Sequence, residues 1–192
     1  MESFLNKLKS LDNSILLFIN SRHSQFWDGF MMDISNRFIW IPLYLFLAFL
    51  IYREFGKKSW IIILFAIIAV ALSDQLASHL VKNIFMRYRP SHNLILSPQL
   101  HFVDDYKGGL YGFASSHASN TFSLTVFIML LMPKNYKLIA GLFCWVVIVC
   151  YSRMYLGVHY PSDIIGGALI GILSAWISFR LCNRVQKRML VN

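Results

Sequence analysis

Hydrophobic residues occur in long runs that are separated by short polar and charged segments. A helix that crosses a membrane needs about 20 mainly apolar residues. Five runs approach or reach that length, and they occupy residues 38–52, 60–81, 113–132, 138–151 and 164–182. The pattern therefore predicts an all-α fold, a polytopic membrane helical bundle of five transmembrane helices, formed by a single domain over residues 1–192.

The segment before the first run, residues 1–36, has a different pattern. Its apolar residues recur every three or four positions between charged ones. That spacing predicts an N-terminal amphipathic helix that lies in the membrane interface. A sixth transmembrane helix over residues 11–35 is the alternative, but ionisable side chains are costly inside a membrane. That stretch contains Asp12, Arg22, His23, Asp28 and Asp33.

Composition and charge narrow the class of protein. Hydrophobic residues make up 57% and charged residues 14% of the chain, whereas a soluble domain carries about 25% charged residues. A soluble enzyme and a disordered chain are therefore excluded. The formal charge of +9 predicts contact with the anionic surface of a lipid bilayer and no nucleic acid partner.

The distribution of cations predicts the orientation of the helices. With five spans, the cations of residues 53–58, residues 133–137 and the segment after residue 180 fall on one side. The positive-inside rule makes that side cytoplasmic. The opposite, outer side then holds residues 82–112 as a long loop and residues 152–162 as a short one. We therefore expect an integral, multi-pass membrane protein.

The outer loops carry cations that the positive-inside rule does not explain. Lys82, Arg89 and Arg153 all follow or end apolar runs on that side, near the starts of two other helices. Helix N-termini bind anions through free backbone N–H groups. We therefore expect a phosphate site at the outer membrane face. Arg87 is either a further phosphate contact or an ordinary lipid-headgroup residue.

Two histidines near these cations can supply the chemistry. Asp163 falls one helical turn after His159, so its carboxylate can hold one ring nitrogen and leave the other free for attack on phosphorus. His117 can protonate a leaving oxygen. This set predicts catalysis without a metal ion or any other cofactor.

Three segments of the chain resemble the motifs of the type 2 phosphatidic acid phosphatase (PAP2) family of membrane lipid phosphatases. They are Lys82, six residues, Arg89-Pro90; Ala114-Ser115-Ser116-His117; and Ser152-Arg153, five residues, His159, three residues, Asp163. The second segment departs from the family's Pro-Ser-Gly-His at Ala114 and Ser116. The departure at Ser116 puts the local backbone turn in doubt, since serine tolerates a positive φ poorly.

The resemblance implies a role for each matching residue. His159 would be the nucleophile, Asp163 its orienting partner and His117 the general acid. The phosphate-binding set would be Lys82, Arg89, Ser115, Ser116 and Arg153, with Ser116 acting through its backbone N–H.

The same resemblance implies hydrolysis of a phosphorylated membrane lipid through a phosphohistidine. It also implies a bacterial inner or cell membrane, with the active site at the outer, periplasmic face. Undecaprenyl pyrophosphate is preferred by resemblance to small bacterial members, ahead of phosphatidylglycerol phosphate and a lipid A phosphate. The alternatives are a lipid phosphotransferase with the same intermediate and a non-catalytic protein that binds or transports anionic lipids. The sequence does not determine the oligomeric state.

Other residues have plainer interpretations. Asp74 is expected to support the site from within the second span, because ionisable residues there face a bundle interior. His101 is expected to be a solvated headgroup contact, and Tyr106 an interfacial anchor. The Gly167 and Gly171 spacing indicates close helix packing, either within the chain or in a dimer.

Overall fold

The computed structural model describes residues 2–188, so residue 1 and residues 189–192 of the predicted domain lie outside the described part. The α-helices are α1 (Glu2–Asn20), α2 (Gln25–Ser35), α3 (Ile41–Phe55), α4 (Ser59–Gln75), α5 (Lys82–Phe85), α6 (Ser116–Leu131), α7 (Tyr136–Tyr155) and α8 (Pro161–Arg188). No β-strand longer than an isolated bridge occurs over residues 2–188. The all-α prediction is confirmed over this range.

A π-helical turn, Leu76–Val81, joins α4 to α5. It was not predicted, because the apolar run is continuous through it. The helix ends after Lys82–Phe85, where Met86 adopts a left-handed conformation with a φ of 43°. The residue before a proline avoids the helical region, and Arg89 is extended before Pro90. The chain therefore leaves the bundle at the first motif.

Over residues 2–188, three helical stretches are long and apolar enough to cross a membrane: Arg37–Phe85, Tyr136–Tyr155 and Pro161–Arg188. The first includes both α3 and α4, which are separated at Gly56. Each of the five predicted runs thus has a helix. The 16 residues of α6 are shorter than a full span of about 20, so five crossings remain a prediction.

The N-terminal segment contains the helices α1 and α2. Leu16 of α1 is buried against Leu96 and Tyr160, whereas Leu11 and Phe18 of the same helix are exposed. This division is amphipathic, while the position of α1 in the membrane interface remains a prediction.

The interpretation of His101 as a solvated residue was wrong. His101 Nε2 donates to Asp28 Oδ2 of α2 at 2.9 Å, and its ring stacks on His23 with centroids 3.8 Å apart. Asp28 also accepts from the hydroxyl of Tyr155 in α7 at 2.6 Å. The carboxylate of Asp28, which α2 holds beside the ring, therefore takes the place of the expected solvent contact of His101.

Close packing of α8 on α6 explains the two spaced glycines. A Cβ atom at Gly167 would lie 2.4 Å from the carbonyl oxygen of Ser115, and one at Gly171 would lie 2.3 Å from that of Ser119. The glycine spacing therefore serves contact within the chain. This contact holds the start of α8 beside the start of α6, and the backbone N–H of Ser115 donates to the carbonyl of Asp163 at 2.9 Å.

Gly171→Ala should destabilise the protein, because the added methyl group would force α6 and α8 apart. Overpacking of this kind costs about 1–3 kcal/mol. Reversible unfolding in mixed micelles checks this. Gly141→Ala in α7 is the matched control, since no atom lies within 4 Å of a Cβ there. Equal unfolding free energies for both variants would contradict the close-packing argument.

Candidate active site

The starts of α6 and α8 form the floor of the site. Ser115 is the N-cap of α6 and accepts from the N–H of Ala118 at 3.5 Å. Pro161 begins α8, and Asp163 in its first turn accepts from the N–H of Tyr160 at 3.0 Å. Two helix N-termini thus meet at one place, which favours an anion.

The second motif forms a regular helix start despite its two departures. Ala114 is fully buried, and Ser116 is the first residue of α6. Among residues 2–188, the non-glycine residues with positive φ are Met86, Asp104 and Asp105. The doubt about the backbone at Ser116 is therefore removed.

His159 and Asp163 form a buried pair, as their spacing predicted. His159 Nδ1 donates to Asp163 Oδ2 at 3.4 Å, and both side chains are fully buried. The other ring nitrogen, Nε2, is buried and has no hydrogen-bond partner among residues 2–188. The carboxylate fixes the tautomer, so Nε2 carries the free lone pair.

Two guanidinium groups share this lack of partners. Arg89 Nη1 and Arg153 Nε are buried without an acceptor among residues 2–188. Arg89 Nε donates to the carbonyl of Tyr111 at 3.1 Å, and Arg153 Nη2 donates to the hydroxyl of Tyr106 at 3.1 Å. Buried charged donors without acceptors are costly, and the oxygens of a phosphate group would supply those acceptors.

Burial and the same cations determine the protonation state of the His159 ring. Burial lowers the pKa of His159 well below its usual 6.5, and the positive charges of Arg89, Arg153 and Lys82 lower it further. The ring is therefore neutral at physiological pH. Burial also lowers the pKa of Arg89, to about 10, which leaves its guanidinium charged.

Asp74 of α4 and Lys82 of α5 both contact residues of α6. Lys82 Nζ lies 3.5 Å from the hydroxyl of Ser116, so the first and second motifs meet. Asp74 Oδ1 accepts from Asn120 Nδ2 at 3.0 Å and from Ser78 Oγ at 3.4 Å. Asp74 thus supports the packing of α4 on α6 one helical turn below the site, which fits its expected supporting position.

His117 has a partner that the sequence analysis missed. His117 Nε2 lies 3.1 Å from the carbonyl oxygen of Ser35, at the end of α2. A carbonyl only accepts, so Nε2 must carry the proton and Nδ1 is the atom that can exchange one. The hydroxyl of Ser35 also accepts from Arg153 Nη1. Ser35 therefore orients an acid–base candidate and a phosphate-binding candidate together.

Two further interpretations were wrong. Tyr106 is not an exposed interfacial anchor, because its hydroxyl bonds to Arg153. Burial raises its pKa, but Arg153 and Arg89 outweigh that effect and the net pKa is lowered. Arg87 fits neither expected role, since it pairs with Asp163 Oδ1 at 2.9 Å and with Asp12 Oδ2 at 2.8 Å. No local sequence signal indicates either contact, although Arg87 lies inside the first motif.

Comparison with known proteins assigns the family. Residues 59–187 match the model of the PAP2 superfamily. The chain belongs to the PAP2 superfamily. All three motifs lie within the matched residues, and the predictions of this family and of a phosphatase are confirmed.

Curated relatives extend this likeness beyond the matched segment. The PAP2 chain is 32% identical to the lipid A 4'-phosphatase of Bacteroides thetaiotaomicron over 187 residues, which cover 95% of the chain and 81% of that protein. It is 30% identical to the undecaprenyl-diphosphatase of Sulfolobus acidocaldarius over 150 residues, which cover 78% of the chain and 65% of that protein.

Two solved structures share the PAP2 fold. Aquifex aeolicus LpxE aligns with a TM-score of 0.66 at 24% identity, covering 87% of this chain and 93% of that one. The transmembrane PAP2 phosphatidylglycerolphosphate phosphatase of Bacillus subtilis aligns with a TM-score of 0.70 at 21% identity, covering 94% and 88%. This shared fold agrees with the helices among residues 2–188 that are long and apolar enough to cross a membrane, and it supports an integral membrane protein.

The neutral state of His159 in this PAP2 site can be tested by ¹⁵N NMR of histidine-labelled protein in detergent. The ring of His159 should remain neutral as the pH falls through 6.5. Arg89→Gln should raise the pKa of His159, because it removes a nearby positive charge. Arg180→Gln, at the far end of α8, should leave it unchanged. A His159 that titrates at its ordinary value in the unmodified protein would contradict this electrostatic account.

Proposed function

We propose that the protein hydrolyses a phosphate or pyrophosphate of a membrane lipid through a phosphohistidine on His159. One observation carries the proposal: the unpartnered Nε2 of His159 is buried together with unpartnered donors of Arg89 and Arg153. A phosphate group meets all three requirements at once, as electrophile and as acceptor.

The proposed first step is attack of His159 Nε2 on phosphorus. The N–P bond forms while the P–O bond to the lipid breaks. His117 enters this step as an imidazolium with a second proton on Nδ1, and it gives that proton to the leaving oxygen. Asp163 holds Nδ1–H and offsets the positive charge on the phosphorylated ring. Lys82, Arg89, Arg153, Ser115 and the backbone N–H of Ser116 bind the phosphate oxygens.

In the second step, His117 takes a proton from water as the water oxygen attacks phosphorus. The N–P bond then breaks, free phosphate leaves, and both histidines return to their starting state. No step uses a metal ion, because the proposed charge stabilisation comes from the cations and helix N-termini. Among residues 2–188, no three His, Cys, Asp or Glu side chains are grouped to hold a metal, and metal independence stays a prediction.

A cavity beside His117 supports a lipid as the substrate. It has a volume of about 800 Å³ and lies among α3, α4, α6 and α7. His117 and Ser116 line its polar end, whereas exposed apolar side chains such as Ile41 and Ile67 line its outer part. An acyl or prenyl chain fits this division, with its phosphate directed to the site.

We infer that the substrate is a phosphate monoester of lipid A. The support is the 32% identity to the lipid A 4'-phosphatases of Bacteroides thetaiotaomicron and Porphyromonas gingivalis, which extends over 95% and 94% of this chain. Undecaprenyl pyrophosphate, preferred on sequence resemblance, is the second candidate, because an undecaprenyl-diphosphatase matches 78% of the chain. The outer-face position of the site rests on the distribution of cations between the two sides.

A panel of purified lipids tests the substrate. The protein should release phosphate fastest from bisphosphorylated lipid A, and mass spectrometry should locate the loss on one sugar. Undecaprenyl pyrophosphate and phosphatidylglycerol phosphate are the competing lipids, each assayed with and without EDTA. Faster release from either competitor would overturn the lipid A proposal. Activity abolished by EDTA and restored by Mg²⁺ would overturn the metal-independent mechanism.

Two histidine variants test the mechanism. His159→Ala should lose almost all turnover on lipid and on p-nitrophenyl phosphate, because no phosphoenzyme can form. In the first step, measured as the initial burst of leaving-group release, His117→Ala should lose about 10²–10⁴-fold on lipid, the usual contribution of general acid catalysis. The burst of p-nitrophenolate should slow much less, since p-nitrophenolate leaves without a proton, whereas hydrolysis of the phosphoenzyme should slow on both substrates. Equal losses of the burst rate on both substrates would mean that His117 does not protonate the leaving group.

A further inference from the structure

An ion-pair chain connects the N-terminal helix to the proposed nucleophile. Asp12 of α1 accepts from Arg87 Nη2 at 2.8 Å, and Arg87 Nη1 donates to Asp163 Oδ1 at 2.9 Å. The second oxygen of Asp163 holds His159 Nδ1. The order is therefore Asp12, Arg87, Asp163, His159, and its first member lies outside the matched family segment, residues 59–187.

The side chains of this ion-pair chain are largely sheltered from solvent. The side chain of Asp163 is fully buried, that of Asp12 is 12% exposed and that of Arg87 is 31% exposed. The guanidinium of Arg87 also lies over the ring of Tyr160, 3.9 Å from its centroid. Arg87 is thus held by two carboxylates and a ring, in a geometry that suits a planar, bidentate cation.

The charges explain why two carboxylates are needed. Arg87 paired with Asp163 alone would make a neutral unit, and that unit would do little to stabilise positive charge on the ring of His159. Adding Asp12 gives the three groups one net negative charge. That charge lies beside a ring that becomes positive when its Nε2 is phosphorylated, and Arg89, Arg153 and Lys82 all oppose this positive charge.

Asp12 also completes the start of α8. In a capping box, the N-cap side chain accepts a backbone N–H of the first turn and the third residue accepts the N–H of the N-cap. Tyr160 is the N-cap of α8, and its N–H donates to the side chain of Asp163, the third residue of the helix. The tyrosine side chain cannot accept a backbone N–H of the first turn, so that half of the capping box is missing. Asp12 Oδ1 supplies it by accepting from the N–H of Ser162 at 2.9 Å, and its Oδ2 accepts from the hydroxyl of Ser162.

We propose that Asp12 and Arg87 are positioning residues for phosphoryl transfer, through which α1 holds Asp163 and keeps its charge available to His159. Neither residue touches the phosphate. Asp12 acts only through Arg87 and the first turn of α8. The role rests on the proposed function of His159 as the nucleophile.

Kinetics of the full chain in detergent with p-nitrophenyl phosphate test this role, because that substrate needs no proton from His117. Asp12→Asn keeps the shape and the bond to Ser162 N–H but removes the charge. It should lower kcat about 10- to 100-fold, the usual loss for such supporting partners, and leave KM unchanged. Asp33→Asn, an exposed carboxylate of α2, is the matched control and should keep full activity.

A double-mutant cycle distinguishes this role from a general loss of stability. If Asp12 acts through Arg87, Asp12→Asn should cause no further loss of kcat in an Arg87→Gln background. Losses that multiply would overturn the proposal, as would wild-type kcat in Asp12→Asn. If Asp12→Asn does not fold, Arg87→Lys provides the second test. Lysine keeps the charge but cannot bond both carboxylates as a fork, so kcat should fall to a similar extent, and a fully active Arg87→Lys overturns the proposal.

Failure of this inference can be separated from failure of the proposed function. An inactive His159→Ala together with a fully active Asp12→Asn would leave the nucleophile in place and remove the role of Asp12. An active His159→Ala would overturn the nucleophile, and the positioning role with it.

Discussion

The arrangement of the site follows from positive charges that are buried at one end of the bundle with too few acceptors. Arg153 is 2% exposed and Arg89 is 8% exposed, yet each keeps a guanidinium nitrogen without a partner among residues 2–188. Burying such groups is costly. Bonds of Arg153 to Tyr106 and Ser35, and of Arg89 to the carbonyl of Tyr111, limit that cost. The unmatched donors are the groups that bind a phosphate in the proposed function.

The same charges create a conflict for the proposed nucleophile. Burial first, and these charges in addition, keep the imidazole of His159 neutral, which preserves its lone pair. The charges also oppose the positive charge that forms on phosphorylation. Asp163 offsets that charge, and the ion pair of Arg87 with Asp12 keeps Asp163 oriented. In the proposed mechanism, the cations near Nε2 of His159 thus attract the phosphate, whereas Asp163 at Nδ1 stabilises the phosphorylated ring.

The helices before the matched family segment contribute directly to this balance. Besides Asp12, the carbonyl of Ser35 holds His117. Asn20 fixes the end of α1 by donating to the carbonyl of Tyr155 at 2.7 Å, while its side-chain oxygen accepts from the N–H of His101 at 2.8 Å. The helices α1 and α2 therefore pack against the helices that carry the motifs. They supply hydrogen-bond partners that those helices do not provide.

Features that depend on neighbouring residues could be predicted from the sequence. The apolar runs determine the long helices, because burial or contact with lipid is the only favourable place for them. The pair of His159 and Asp163 is separated by one helical turn, so its contact is local. Pro161 begins α8 for a similarly local reason, since proline suits the first helical position. The three family motifs, each a short segment with fixed spacing, led to the phosphatase assignment for the same reason.

Only the tertiary structure decided which distant groups complete these local units. Arg87 meets Asp12 across 75 positions, His117 meets Ser35 across 82, and Arg153 meets Tyr106 across 47. Such contacts leave no periodic pattern, because hydrophobic spacing specifies which face of a helix is buried but not which polar group faces it. The π-helical turn between α4 and α5 was also unpredictable, since its residues continue an apolar helix without interruption. Those pairings depend on how the helices pack, and packing at the glycines of α8 brings the two helix N-termini together.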